Sequence, residues 1–160
     1  MTDLRLRDVI ESDLPIFFEQ LLDADANYMA AFTLKNPADR EAFDAHWARI
    51  RGDPKILINT ILVDTDVVGH VLSFEQDGQR EVSYWVDKKL WGRGIATKAL
   101  REFLHHDTRR PLNARAAKDN IASIRVLEKC GFVKQGEDKW FANARGAEID
   151  ECIFRLDGAT

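Results

Sequence analysis

Trp91-Gly92-Arg93-Gly94-Ile95-Ala96-Thr97 joins a strand-like run, Val82 to Val86, to a helix-like run, Ile95 to Leu104. Two glycines two positions apart let the backbone turn with φ > 0 and leave no Cβ between the amide N–H groups and whatever approaches them. The first turn of a helix lacks carbonyl partners for its amides and carries the positive end of the helix dipole. An anion there replaces missing hydrogen bonds and neutralises charge together. The stretch therefore reads as a phosphate-binding turn. Its spacing excludes a Walker-type loop, which ends in Gly-Lys-Ser/Thr, because Thr97-Lys98 follows no such glycine. A Rossmann fingerprint fits poorly as well. Thr97 stands where the third glycine or alanine belongs, and no acidic residue closes a second strand about twenty positions on.

A second motif lies downstream, Asn120-Ile121-Ala122-Ser123-Ile124-Arg125-Val126-Leu127-Glu128-Lys129-Cys130-Gly131-Phe132. Asn120 is a natural cap for a helix whose Ile121, Ile124 and Leu127 face one way, and Gly131 before an apolar residue is an ordinary helix C-terminal signal. The two stretches run in order from Glu81 to Phe132 as x-Gly-x-Gly-x-Ala, then Asn-x-x-Ser, then Glu-Lys-x-Gly-Phe. Together they resemble motifs A and B of the GNAT superfamily of N-acetyltransferases, in the form shared by the ribosomal-protein N-terminal acetyltransferase branch.

The resemblance implies an α/β fold with a mixed, mostly antiparallel central sheet, helices on both faces, and a V-shaped cleft between the two central strands. It implies acetyl-coenzyme A as cosubstrate, its pyrophosphate held by the amides of Gly92, Arg93, Gly94 and Ala96 and by the amide and hydroxyl of Thr97. By the same resemblance a backbone N–H near Val86 meets the developing oxyanion, and Asn120 both caps its helix and touches the pantetheine or adenine side. Two departures matter. Trp91 replaces the Gln or Arg of many relatives, so that it covers the loop or packs on the strand. Leu127 occupies the place of the motif B tyrosine that protonates the departing thiolate, and the resemblance to the ribosomal-protein branch, which has a serine in that role at the place of Ser123, implies Ser123, beside the cofactor, as the candidate acid.

A chain of 160 residues with 45% hydrophobic and 31% charged side chains suits one soluble domain, taken here as residues 1–160. The longest apolar run falls well short of the roughly 20 residues a bilayer span requires. Met1-Thr2-Asp3-Leu4-Arg5 shows no basic region followed by an apolar core, so a cytoplasmic protein is expected. Cys130 and Cys152, too few for a disulfide framework, are expected as buried thiols. A net charge of −4 and the lack of a basic stripe speak against nucleic acid and suit a cationic acceptor.

In chain order, Leu4 and Leu6 alternate with Arg5 and Arg7 as a strand, and Ser12 or Asp13 can cap a helix with Pro15 in its first turn. Residues 23–36 lose helical periodicity and read as a loop or broken helix, whereas 37–50 regain it through Phe43, Trp47 and Ile50. Strands follow at 56–63, 67–74 and 80–86, and later at 111–117, 132–141 and 147–156. The order β-α-α-β-β-β-α-β-α-β-β predicts one mixed sheet covered by helices.

Amide formation from a thioester requires a neutral amine, and an aliphatic amine is mostly protonated at neutral pH. Glu81 and Glu137 are the candidate bases, and His70 is a further one if it faces the cleft. His105 and His106 close a helix beside Arg109 and Arg110, which suits the negative end of its dipole better than a metal, so no metal is expected. Tyr28 and Phe32 stand in a segment without periodicity, and the resemblance places that segment on the acceptor side. They are the candidate acceptor wall, with Asp23 and Asp25 positioned to steer a cationic amine. The acceptor is either a protein N-terminus or a small amine such as a polyamine, aminoglycoside or amino acid. A coenzyme A-binding module without turnover is the competing class, and the family admits a homodimer.

Overall fold

The computed structural model describes residues 3–158; Met1 and Thr2, on which the expectation of no leader partly rested, lie outside them with residues 159 and 160. The strands are β1 (Leu4–Asp8), β2 (Leu57–Val63), β3 (Asp66–Gln76), β4 (Gln79–Val86), β5 (Leu112–Ala117), β6 (Val133–Ala142) and β7 (Ala147–Leu156). They form one seven-stranded sheet in the order β1-β2-β3-β4-β5-β7-β6, antiparallel at every junction but one. The exception is β4 with β5, which run parallel and share a single register pair, Glu81 opposite Asn113.

Helices cover both faces, as the resemblance implied. On one face Phe17 of α1 (Leu14–Leu21) and Phe43, Trp47 and Ile50 of α3 (Arg40–Arg51) pack over Ile58 and Leu72. On the other, Ala99, Leu100 and Phe103 of α4 (Ile95–His106) and Leu127 of α5 (Ile121–Lys129) join Ile61, Val71, Val82, Val86, Ala114 and Phe154. Burying these apolar faces supplies the main folding force.

The segment read as a loop or broken helix contains α2 (Ala24–Ala30), followed by irregular chain. Asp23 caps it by accepting from Ala26 N at 2.8 Å, and buried Asn27 donates its amide to the carbonyls of Leu21 and Asp23. A helix held by its cap and a buried amide has no apolar stripe, and hydrophobic periodicity could not reveal it. The helix stops at Ala31, whose φ of 65° no right-handed turn can continue.

His70 lies on the α1/α3 face, its ring 4.8 Å from that of Phe17 and 5.0 Å from that of Trp47. The residue keeps some accessible surface, but its Nδ1 is enclosed and unpartnered, and burial lowers its pKa to about 3. It is a neutral aromatic packing residue there. Asp13 does not cap α1 with its side chain. Instead it is buried and takes hydrogen bonds from Arg7 at 2.7 and 2.9 Å, Ile10 N at 3.0 Å and Thr60 Oγ1 at 2.6 Å. These bonds tie the start of α1 to β1 and β2.

A second buried carboxylate fixes the far end of α4. Asp107 follows its last turn and receives the Ser73 hydroxyl of β3, Arg80 Nε of β4 at 3.2 Å and Arg109 Nε at 2.8 Å. Burial opposes its charge, yet the Arg109, Ser73 and Arg80 hydrogen bonds prevail and hold the carboxyl far below the ordinary carboxylate range. Asp107→Ala would leave the buried Arg80 guanidinium short of its anion and is expected to cost about 3 kcal/mol in a denaturant melt. A carboxyl whose folded pKa is depressed contributes stability that is complete above its unfolded value of 3.8 and is lost as pH falls through the folded one. The difference between wild type and Asp107→Ala is therefore expected to be constant at neutral pH and to shrink below about pH 4.

Candidate active site

At the junction of β4 and α4 the chain turns through Gly92 at φ 80° and Gly94 at φ 75°, and Gly94 is the residue preceding the first helical turn. A Cβ at either glycine would meet nothing within 4 Å, so it is the left-handed backbone, and not crowding, that requires glycine there. Among the described residues the amides of Gly92 through Thr97 have no protein acceptor; the first paired one is Lys98 N, which donates to Gly94 O at 3.1 Å. Six consecutive backbone donors thus lie without a protein acceptor at the positive end of a twelve-residue helix. Gly92, Arg93 and Gly94 are exposed, Ala96 is half-buried, and the Thr97 side chain is turned into the fold, which favours its amide over its hydroxyl as a contact.

The loop is set by its approach strand. Trp91, 44% exposed, donates Nε1 to Val86 O at 3.0 Å and so fastens the loop to the end of β4. Of the two roles expected for Trp91, it is the link to the strand that is seen, made by this hydrogen bond. Asp87 N donates to Val68 O at 2.8 Å, and in an extended strand the preceding residue points the other way. The Val86 N–H is thereby directed away from β3, toward the side where β4 and β5 part. Gly69 on β3 permits this approach, since a Cβ there would lie 2.0 Å from Trp85 O.

The fork between β4 and β5 is stitched by side chains. Asn113 Nδ2 donates to Arg80 O at 3.2 Å, and Arg115 Nε donates to Glu81 at 3.2 Å. Arg115 also reaches Glu151 at 3.0 Å and Asp138 at 3.2 Å, so three carboxylates share one guanidinium. Glu81 and Glu151 are 6% and 7% exposed, and burial raises the pKa of both despite the nearby arginine. Both lie on the face covered by α1 and α3. Glu137 pairs in register with Cys152, on the opposite face, and is bonded by Lys134 at 2.5 Å and Lys118 at 3.0 Å, which hold its carboxyl below the ordinary range. The two candidate bases are thus not brought together, and only Glu81 stands at the fork.

Across the fork, Asn120 caps α5 by accepting from Ser123 N at 3.2 Å and donates Nδ2 to Met29 O at 3.2 Å. Both polar atoms of Asn120 are therefore engaged within the protein. Ser123 Oγ lies 2.6 Å from Tyr84 Oη of β4. Cys130, half-buried and free, places Sγ 3.7 Å from Thr97 O, whereas Cys152 is buried and free.

The segment holding Tyr28 and Phe32 meets the β6–β7 turn. Arg145 clamps both, with Nη1 and Nη2 on Asp119 at 2.7 and 3.0 Å, Nε on Tyr28 O at 2.6 Å and its guanidinium 3.9 Å over the Tyr28 ring. Asn143 donates to Thr33 O at 2.7 Å and Ala144 N to Ala31 O at 3.1 Å. Tyr28 is 51% exposed, whereas Phe32 is half-buried against Ala31, Ala117 and Ala142. Asp23 is consumed as a cap and Asp25 pairs with Lys88, so neither carboxylate is an unpaired lure for a cation. Three carboxylates gather instead around Arg115, a residue that sequence reasoning missed. Its three carboxylate partners come from three other strands, β4, β6 and β7, and the cross-strand registers around β5 bring them together.

Residues 3–133 match the model of the acetyltransferase (GNAT) domain, and the chain belongs to that family. It is 30% identical over 104 residues to the uncharacterized N-acetyltransferase p20 of Bacillus licheniformis, a match covering 60% of this chain but only 58% of that protein. Its fold is similar to that of the ribosomal L7/L12 alpha-N-protein acetyltransferase RimL in complex with coenzyme A, with a TM-score of 0.81, 21% identity and coverage of 99% of this chain and 96% of that one. It is equally similar to that of the spermidine N-acetyltransferase of Vibrio cholerae in complex with coenzyme A and spermine, with a TM-score of 0.81, 16% identity and coverage of 96% and 95%. Gly94→Asp would put a carboxylate and a strained left-handed side chain at the head of the amides. Calorimetry is expected to show coenzyme A binding lost while circular dichroism stays native; unchanged affinity would remove the loop from the site.

Proposed function

We propose that the protein is an acetyl-coenzyme A-dependent N-acetyltransferase acting on a primary amine. The observation that carries this reading is the row of unpartnered amides from Gly92 to Thr97, set beside a fork whose two sides bear Glu81 and Ser123. Those amides fit a pyrophosphate, and acetyl-coenzyme A bound there supplies an activated acyl carbon and a thiolate leaving group. Gly92, Arg93, Gly94, Ala96 and Thr97 would hold it, with Asn120 at the pantetheine or adenine side. That last contact requires Asn120 to exchange or share its present partners.

Glu81 removes the proton that keeps the amine from attacking, directly or through water, and burial raises its basicity for that task. The Val86 N–H stabilises charge developing on the acyl oxygen. Ser123 protonates the departing sulfur. Asp138, Glu81 and Glu151 exceed the single positive charge of Arg115, which supports a cationic acceptor, either a protein N-terminus or a small amine. Tyr28 borders its approach, with Phe32 packed behind. The edge strand β6 exposes Val133, Trp140 and Phe141, which supports a second copy of the chain as partner.

Thiol release from acetyl-coenzyme A in the presence of N-terminal peptides and small polyamines tests the activity. Tight cofactor binding without turnover on any amine would favour a non-catalytic module. Glu81→Gln is expected to lower kcat about 100-fold or more and to abolish the acid limb of the kcat/KM profile, which in wild type rises as the Glu81 carboxyl loses its proton. Tyr28→Ala is expected to raise KM for the amine and leave that for acetyl-coenzyme A unchanged; an equal effect on both would assign Tyr28 to packing.

A further inference from the structure

The Tyr84 phenol and the Ser123 hydroxyl are 2.6 Å apart, and among the described residues neither oxygen has another protein partner. They belong to different sides of the fork. Tyr84 projects from β4 between Val82 and Val86 onto the α4/α5 face, where its ring packs against the buried core. Ser123 is in the first turn of α5, its own N–H fixed by Asn120. A serine hydroxyl has one proton to give and two lone pairs to receive with. Either hydroxyl can donate in this pair; the phenol is the more acidic of the two, and when it donates, Ser123 Oγ is the acceptor. The serine proton is then free to point elsewhere.

We infer that Tyr84 is a positioning residue for Ser123, donating its phenol proton to Ser123 Oγ so that the serine proton is directed into the cleft toward the departing sulfur. The inference rests on the reading of Ser123 as the acid proposed above and lessens its chief chemical weakness. An alkanol is too weak an acid to surrender its proton to a thiolate unless another proton replaces it in the same event. As the carbon–sulfur bond breaks, the sulfur keeps the electron pair and takes the Ser123 proton, and the Tyr84 proton passes to Ser123 Oγ. The phenolate left behind regains a proton from solvent, which has received the one lost by the amine. Burial raises the Tyr84 phenol to about 12, so the pair is fully protonated in the resting enzyme throughout the neutral range.

Tyr84→Phe removes only the oxygen and keeps the packed ring. It is expected to lower kcat about 10- to 100-fold, with KM for acetyl-coenzyme A and for the amine unchanged and with native thermal stability. Ser123→Ala should lower kcat at least as much, and the double variant should be no slower than Ser123→Ala, because the tyrosine acts only through the serine. Full kcat in Tyr84→Phe beside a slow Ser123→Ala would reduce Tyr84 to packing, and effects that multiply in the double variant would make the two residues independent; either outcome overturns the inference. Full kcat in Ser123→Ala alone would refute the acid reading itself, an outcome visible without touching Tyr84.

Discussion

β4 and β5 run side by side yet share one register pair, Glu81 with Asn113, and the candidate site depends on their parting. A parallel pair continued along both strands would consume the N–H and C=O groups that line the fork. The apex is kept in place by side chains instead, through Asn113 on the Arg80 carbonyl and Arg115 on Glu81. Arg80 is itself held from behind by Asp107. The same buried carboxylate therefore secures both the fork and the far end of α4, whose near end is the glycine loop.

The two faces of the sheet divide the chemistry. Glu81, Arg115, Asp138 and Glu151 gather on the face covered by α1 and α3, whereas Tyr84 and Ser123 meet on the face covered by α4 and α5. Alternation along a strand explains how Glu81 and Tyr84, three residues apart on β4, serve opposite faces. In the reaction proposed above, Glu81 would take a proton from the nucleophile on one side and Ser123 would give one to the leaving group on the other, with the strand's own backbone between them. Tyr84, reached through Ser123, would there take the place of the tyrosine that motif B lacks at Leu127.

The proposed acceptor side is built from parts far apart in the chain. Arg145, in the last hairpin, holds Tyr28 of α2 and Asp119 before α5 in one clamp. The segment around Tyr28 and the turn around Asn143, far apart in the sequence, are joined directly. Charge balance is also a tertiary property. Asp23 and Asp25 look like an acidic lure in the sequence, but one is a helix cap and the other an ion-pair partner, while the surplus negative charge lies around Arg115.

By itself the sequence determined the family, the strand order, every α-helix but α2 and the place of the glycine turn, because each rests on local spacing. Two glycines with positive φ before an amphipathic helix, and Asn120 three residues ahead of Ser123, are legible wherever the chain is folded. Helix α2 escaped because Asp23 and Asn27, not an apolar stripe, hold it together. Only the tertiary structure decided which carboxylate stands at the fork, since Glu81 and Glu137 are equivalent as letters and differ only in register and partners. It also decided that His70 is enclosed between Phe17 and Trp47, and that Tyr84 reaches Ser123 across 39 positions of sequence. Burial, face and cross-strand pairing set those roles, and none of the three is a property of neighbouring residues in the chain.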